Sequence, residues 1–176
     1  SDLAVSVAVD GAILRAVTLS IGSTVRGAAR LSKIRAAALE VLHDYPRADS
    51  AALEGPSLDS NHREYDMEQA SGVLRQLLHE RYSIEPLIIP PSSLKKYATG
   101  NGAADKSDMI QYAVRKLLAP IDDEDDDAAD ASILAHLAYC FTSNCPVSTR
   151  HAAEVLKQLR TPPPKRKPRV RLTPSI

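Results

Sequence analysis

The pair Asp10-Gly11 stands between two segments rich in β-branched residues, and it restricts the possible folds more than any other local feature. LAVSVAV precedes the pair and AILRAVTLSI follows it. A two-residue Asp-Gly linker favours a tight turn whose twist matches that of the strands on either side. We therefore expect the N-terminal part of the chain to form an antiparallel β-hairpin.

Helices and short strands alternate after the hairpin. Apolar residues at helical spacing in TVRGAARLSKIRAAALEVLHDY predict a helix that Pro46 ends, and SAALEG follows as a short buried strand. A second amphipathic helix, from about His62 to Tyr82, leads to a short strand in IEPLIIP. Two strands separated by a helix form a right-handed parallel crossover.

Three further helices occupy the second half of the chain. The first lies in DKSDMIQYAVRKLL with Asp105 as its N-cap, and the others run from about Asp127 to Phe141 and from about Thr149 to Arg160. We expect one α/β domain over residues 1–160, a mixed sheet flanked by helices, and a basic proline-rich tail over residues 161–176.

The predicted strands do not form one sheet by themselves. An antiparallel hairpin and a separate parallel pair need a central strand between them, and no segment after Ser1 supplies one. We therefore expect the first strand of the fold to lie upstream of Ser1.

Composition indicates a globular protein. The chain has 176 residues, of which 44% are hydrophobic and 25% charged, and this is enough to bury a core. The two cysteines form no CxxC pair, and there is no signal-like or membrane-length apolar segment, which favours a reducing cytoplasm. Core or surface roles are favoured over a zinc site for four residues that match no common zinc spacing, Cys140, Cys145, His136 and His151.

The net charge is zero, but the charges are unevenly distributed. Six consecutive acids run from Asp122 to Asp127, and TPPPKRKPRVRLTP in the tail has five bases and no acid. Acidic runs are usually solvated, and this is our expectation for Asp122 to Asp126. The tail is typical either of nonspecific phosphate binding or of a solubilising segment.

Three carboxylates stand out from the other acids by position. Glu54 ends the buried strand SAALE, where open α/β sheets form their sites, although an acid there can equally mark the exit of the strand to solvent. Asp127 and Asp130 share one face at the start of a helix, on the side of its apolar stripe. The alternative for this pair is an N-cap and a first-turn acid that complement the helix dipole.

Converging carboxylates without histidine or cysteine suit a hard cation, Mg²⁺ or Mn²⁺. Such ions activate a water and stabilise the leaving oxygen in phosphodiester hydrolysis. PSSLKKYATGNGAADKSD supplies Lys95, Lys96 and Lys106 for phosphate contacts, and Gly100 and Gly102 allow a loop backbone to approach a phosphate. The pattern favours a protein that acts on nucleic acid.

Four segments occur in a specific order, ALEGPSLDSN, EQASGVL, PSSLKKYATGNGAADKSDMIQYAVRKLL and DAADASILAHLAY. Together they resemble the successive motifs of RuvC-type Holliday junction resolvases, which are nucleases of the RNase H-like fold. The resemblance spans about Leu3 to Tyr139. Its most specific parts are LKK followed by TGNGAADK, and DAAD at the start of a helix.

The resemblance implies a catalytic set and a quaternary structure. The residues that match the family's metal-binding acids are Glu54, Asp127 and Asp130, and those that match its DNA-contacting lysines are Lys95 and Lys106, with Lys96 beside them. The family is a two-fold symmetric homodimer that binds a four-way junction and nicks opposed strands. The helix containing Glu68 to Leu74 lies in the region that forms its dimer interface.

Two features depart from the family's pattern. The first catalytic aspartate of the family lies on its first strand, which places it upstream of Ser1, and Asp2 stands where the family has a turn glycine. The loop after Glu54 carries Leu58 where the family often has an aromatic residue that wedges into the junction. We expect the chain as written to be inactive or weakly active.

These features lead to the hypothesis of a Mg²⁺-dependent, structure-selective endonuclease that acts on Holliday junctions or other branched DNA in recombination and repair. Two alternatives stay open, a non-catalytic branched-DNA-binding module of the same fold and an RNase H-like nuclease with another nucleic-acid substrate. An upstream strand that lacks an aspartate would favour the binding module.

Overall fold

The computed structural model describes residues 2–56 and 63–161. Within these ranges the elements, in chain order, are β1 (Asp2–Val9), β2 (Ala12–Ser20), α1 (Gly27–Leu42), β3 (Ala52–Glu54), α2 (Arg63–Tyr82), β4 (Leu87–Ile89), α3 (Pro91–Thr99), α4 (Lys106–Lys116), α5 (Asp126–Ser143) and α6 (Arg150–Arg160). In the described part of the chain, no helix combines the length and apolar character needed to cross a membrane.

The N-terminal hairpin is confirmed. Strands β1 and β2 pair antiparallel, and Val9 lies opposite Ala12 next to the turn. Asp10 and Gly11 have φ angles of 51° and 83°, as the tight Asp-Gly turn requires. A Cβ atom on Gly11 would lie 3.0 Å from the ring of Tyr139 in α5, so the tip of the hairpin packs closely on that helix.

The parallel strand pair is also confirmed. Strand β3 pairs with β4 in parallel, with Glu54 opposite Ile89, and α2 connects the two strands. The Gly55 N–H donates to the Ile89 carbonyl oxygen at 2.8 Å, which extends the pairing by one residue. Glu54 is therefore fixed at the carboxyl end of a parallel strand.

The expected mixed sheet is not continuous among the described strands. They form two separate two-stranded sheets, β1 with β2 and β3 with β4. A groove of about 600 Å³ separates them, and residues of β1, β3, α1, α2 and α5 line it. The strand inventory alone predicts this gap, because neither pair has a partner that could join it to the other.

Helix α5 lies at the centre of the molecule. It packs against β1, β2, β3 and α4. Ile133 and Leu137 in its middle are fully buried, and so is the apolar face that surrounds them. The helix begins one residue earlier than predicted, because Asp125 accepts a hydrogen bond from the Ala128 N–H and serves as the N-cap.

One helix is missed by the sequence prediction. The sequence analysis assigned no helix or strand to PSSLKKYAT, but this segment forms α3. Pro91 occupies the first helical position, where the missing N–H costs no hydrogen bond. Leu94, Tyr97 and Ala98 are its buried face, and Gly100 ends it with a φ of 83°. Two of the predicted phosphate-binding lysines consequently lie on a helix.

A reducing compartment favours two free cysteine thiols, but the structure has a disulfide instead. Cys140, near the end of α5, forms a disulfide with Cys145, and their Cα atoms are 4.9 Å apart. His136 instead shares a hydrogen bond of 2.9 Å between its Nδ1 atom and the Tyr97 hydroxyl, which joins α3 to α5. Sulfur atoms bonded to each other are not available as zinc ligands, so the structure supports the preference for core roles.

Candidate active site

Glu54 brings the first carboxylate to one end of the groove. The side chain is half-buried and lines the groove where β3 ends. Burial raises its pKa, the Asp127 carboxylate raises the pKa further, and the Lys95 ammonium group opposes both. The structure therefore places Glu54 beside the other acids of the predicted set rather than at an exit to solvent.

The first two turns of α5 supply the other two carboxylates. Asp130 is half-buried and Asp127 is exposed, and both line the same groove as Glu54. The helix phase thus correctly assigns Asp130 to the inner side. Asp127 is less covered than the phase predicts, and it is the second residue of the helix.

Asp130 has the most strongly altered proton affinity of the three acids. Burial raises its pKa to about 6, with further contributions from the negative charges of Glu54 and Asp126. The Lys95 ammonium group acts in the opposite direction. Desolvation and the acidic neighbours Asp126 and Asp125 likewise raise the pKa of Asp127, while Lys106 lowers it.

These acids fit a hard divalent cation. The Asp130 Oδ1 atom is buried and has no hydrogen-bond partner among the described residues. A Mg²⁺ or Mn²⁺ ion stabilises carboxylate oxygens that repel one another and that receive no hydrogen bond from the protein. In the described ranges, however, no group of three or more His, Cys, Asp or Glu side chains lies close enough together to hold a metal ion.

Two lysines flank the carboxylates from different helices. Lys95 on α3 lies close enough to act electrostatically on both Glu54 and Asp130. Lys106 is the first residue of α4, and its ammonium group pairs with the Asp126 carboxylate. The N-cap Asp105, which accepts from the Asp108 N–H at 2.9 Å, fixes the backbone at that point. Positive charge thus borders the acidic end of the groove on two sides.

A family profile described as "Crossover junction endodeoxyribonuclease RuvC" matches residues 5–138. This chain belongs to the RuvC family. Curated RuvC proteins of Synechococcus sp. strains CC9311 and WH7803 are 37% and 36% identical to it over 67 residues. Those matches cover 38% of this chain and 41% and 43% of the relatives, so the aligned part spans about two fifths of the length of each relative.

Solved RuvC structures from Thermus thermophilus share the fold. "Thermus thermophilus RuvC structure" aligns with a TM-score of 0.61 at 20% identity, over 77% of this chain and 92% of that chain. "T. thermophilus RuvC in complex with Holliday junction substrate" aligns with a TM-score of 0.64 at 22% identity, over 77% of this chain and 85% of the other. The expected RNase H-like fold class is confirmed.

Lys96, the third lysine predicted from the sequence to contact DNA, pairs with an acid outside the candidate set. Its Nζ atom lies 3.6 Å from a carboxylate oxygen of Glu154 on α6. The structure therefore brings Lys95 and Lys106 to the acidic end of the groove but does not bring Lys96 there. Leu58, the predicted substitute for the family's wedging aromatic, lies outside the described residues, as does the tail from residue 162 onward.

Two acids that the sequence analysis assigned to a solvated loop contribute to the site. Asp125 accepts hydrogen bonds from the Thr18 hydroxyl at 2.8 Å and from the Ala128 N–H at 2.9 Å, so it anchors the start of α5 to β2. Asp126 is the first residue of α5 and pairs with Lys106. The residue type of Asp125 could have indicated the cap, but Thr18 and Lys106 come from distant parts of the chain, so the sequence does not show their contacts.

Proposed function

We propose that the full-length protein is a Mg²⁺- or Mn²⁺-dependent endonuclease that cleaves Holliday junctions or related branched DNA in recombination and repair. Membership of the RuvC family and the fold shared with a RuvC that is described with a Holliday junction substrate support this proposal. The observation that carries it is the grouping of Glu54, Asp127 and Asp130 at one end of the groove, with Lys95 and Lys106 beside them.

The chain's own residues prepare this site for an anionic substrate. Glu54, Asp127 and Asp130 would hold the divalent cation, which supplies Lewis-acid polarisation of the phosphodiester and a lower pKa for water. Asp130 must release its proton to serve as a ligand, because metal and proton compete for the same oxygen. Lys95 and Lys106 neutralise phosphate charge as it develops during hydrolysis.

We also propose a homodimer that works in the cytoplasm. A four-way junction is itself symmetric, and a two-fold dimer presents two equivalent sites to opposed strands. The segment Glu68–Leu74 in α2 is our candidate for the contact region, on the resemblance to the family. Analytical ultracentrifugation of the full-length protein would test this assembly.

A non-catalytic branched-DNA-binding protein is the second candidate. The observation that favours it is that, among the described residues, no three His, Cys, Asp or Glu side chains lie close enough together to hold a metal ion. Such a protein would retain the basic flank around Lys95 and Lys106 and select the junction without cutting it. Binding and cleavage must therefore be measured separately.

The test uses the full-length protein with synthetic four-way junction, flap and linear duplex DNA. Binding is measured in Ca²⁺ or EDTA, and nicking is measured in Mg²⁺ or Mn²⁺. The proposal predicts preferential binding to the junction and nicks in opposed strands. Junction binding without nicking in either metal would support the binding module, and a preference for another substrate would assign a different nuclease activity.

A further inference from the structure

Lys106, a predicted DNA-binding residue, forms an ion pair with Asp126 of the acidic run. The Lys106 side chain is 79% exposed, and the Asp126 side chain retains 33% of its exposure. An exposed ammonium group of this kind is accessible to a phosphate as well as to the carboxylate. A DNA phosphate and Asp126 therefore compete for the same cation.

Asp126 is not needed to form the helix on which it lies. Asp125 is the N-cap of α5, and its carboxylate receives both the Ala128 N–H and the Thr18 hydroxyl. Asp126 follows the cap and adds only an acid in the first turn, whose interaction with the helix dipole is weak at an exposed helix end. Its contact with Lys106 is thus separable from the folding of α5.

The position of Lys106 makes this contact relevant to the site. Lys106 acts electrostatically on Asp127, which neighbours Asp126 and belongs to the candidate catalytic set. Asp126 therefore holds the lysine at the edge of the carboxylate cluster. A phosphate that approaches the cluster meets a cation that is already paired.

We propose that Asp126 acts as an internal substitute for a DNA phosphate, and that it positions Lys106 beside the candidate active site until junction DNA displaces the carboxylate. This inference rests on the proposed DNA-binding function of Lys106. The competition lowers the affinity for DNA and reduces its dependence on salt, because the released Asp126 carboxylate gathers a counterion when Lys106 transfers to phosphate.

A double-mutant cycle with the full-length protein tests the proposal. Junction affinity is measured in EDTA over a range of salt concentrations for the wild type, Asp126→Asn, Lys106→Met and the double variant. Asp126→Asn should bind about two- to fivefold more tightly than the wild type, the range that a surface ion pair permits. It should also steepen the slope of log K against log salt by up to about one. In the Lys106→Met background the same change should have little effect.

Asp123→Asn is the matched control, because it removes one charge from an exposed position of the same acidic run. The proposal predicts that this variant tightens binding less than Asp126→Asn and equally in both backgrounds. Equal effects of Asp126→Asn with and without Lys106 would overturn the proposal, since they would reflect general charge repulsion. Failure of the wild type to bind junction DNA would instead refute the proposed function itself.

Discussion

Without a bound metal ion, the surroundings of Asp130 favour its neutral, protonated form over the charged carboxylate. Burial and the charges of Glu54 and Asp126 raise its pKa to about 6, and its Oδ1 atom has no hydrogen-bond partner among the described residues. The folded protein therefore holds this proton more tightly than the unfolded chain, in which an aspartate titrates near 4. The contribution of Asp130 to the stability of the metal-free protein therefore becomes less favourable as the pH rises through this interval.

We predict a pH-dependent stabilisation by Asp130→Asn. In EDTA, the unfolding free energy of the variant relative to the wild type should increase by about 1–2 kcal/mol between pH 4 and pH 7, because asparagine has no charge to bury. Urea unfolding at both pH values measures this difference. Asp123→Asn, at an exposed position, is the control, and a difference for Asp130→Asn that does not change with pH would contradict the account.

The neighbouring lysines Lys95 and Lys96 are predicted to have different roles. Lys95 lowers the pKa of both Glu54 and Asp130, whereas Lys96 pairs with Glu154. Lys95→Met should reduce nicking at neutral pH about a hundredfold and move the acid limb of the pH–rate profile to higher pH, since the acids then hold their protons more tightly. Lys96→Met should change the nicking rate by no more than about twofold and should leave the acid limb at the same pH.

Rates of junction nicking by the full-length variants between pH 5 and pH 8 distinguish the two lysines. Equal losses for both variants, or a profile for Lys95→Met that keeps its position, would show that Lys95 acts only as one of several basic surface residues.

The three candidate acids stand out in the sequence because each has a local signal. Glu54 ends a buried strand, and Asp127 and Asp130 share a face of one helix. The orientation of Lys96 toward Glu154 has no local signal, since α3 and α6 meet only in the folded chain. The same reason accounts for the missed pairing of Asp126 with Lys106.

At the scale of elements, the start of α5 depends on one side chain. Asp125 receives the Ala128 N–H and the Thr18 hydroxyl, so it both caps α5 and ties it to β2. Asp125→Ala should lower the unfolding free energy by about 1 kcal/mol, as the loss of an N-cap does. Thr18→Val should lower it less, because the cap remains.

Denaturant unfolding of both variants, with Asp123→Ala as the control, measures these changes. A loss for Asp123→Ala equal to that for Asp125→Ala would contradict the specific role of the cap and would reflect the removal of an acid from the run.

The predictability of the elements follows the strength of their local patterns. The Asp-Gly turn, the parallel crossover and α5 all carry clear signals and are confirmed. Helix α3 was missed because Pro90 and Pro91 mark the end of a strand equally well, and because its nine residues are too few to display a distinct helical period. Its burial against α5 and α6 stabilises it.

At the scale of the whole molecule, the groove between the two sheets has room for another strand. Strand β1 begins at Asp2 and β3 ends at Glu54. Both carboxylates interact electrostatically with Asp127, so the start of β1 and the end of β3 lie near the same residue. The two strands therefore run in opposite directions along the groove. A strand parallel to β3 and antiparallel to β1 would end beside Asp2, one tight turn from the start of β1.

We predict that a β-strand joined to the chain ahead of Ser1 would occupy this groove. Such a strand would join both sheets through backbone hydrogen bonds and cover the apolar lining. Hydrogen exchange should then be slower for the amides of β1 and β3 in a protein that carries this added strand than in the 176-residue chain. Unchanged protection of both strands would contradict this arrangement.

The measurement that most directly tests the central claim is nicking of a synthetic four-way junction by the full-length protein in Mg²⁺, compared between wild type, Asp127→Asn and Asp123→Asn. Both variants remove one charge from the same acidic run, but only Asp127 belongs to the candidate metal site. The account predicts paired nicks by the wild type and by Asp123→Asn, and a loss of at least about a hundredfold for Asp127→Asn with junction binding retained. Undiminished nicking by Asp127→Asn would contradict it.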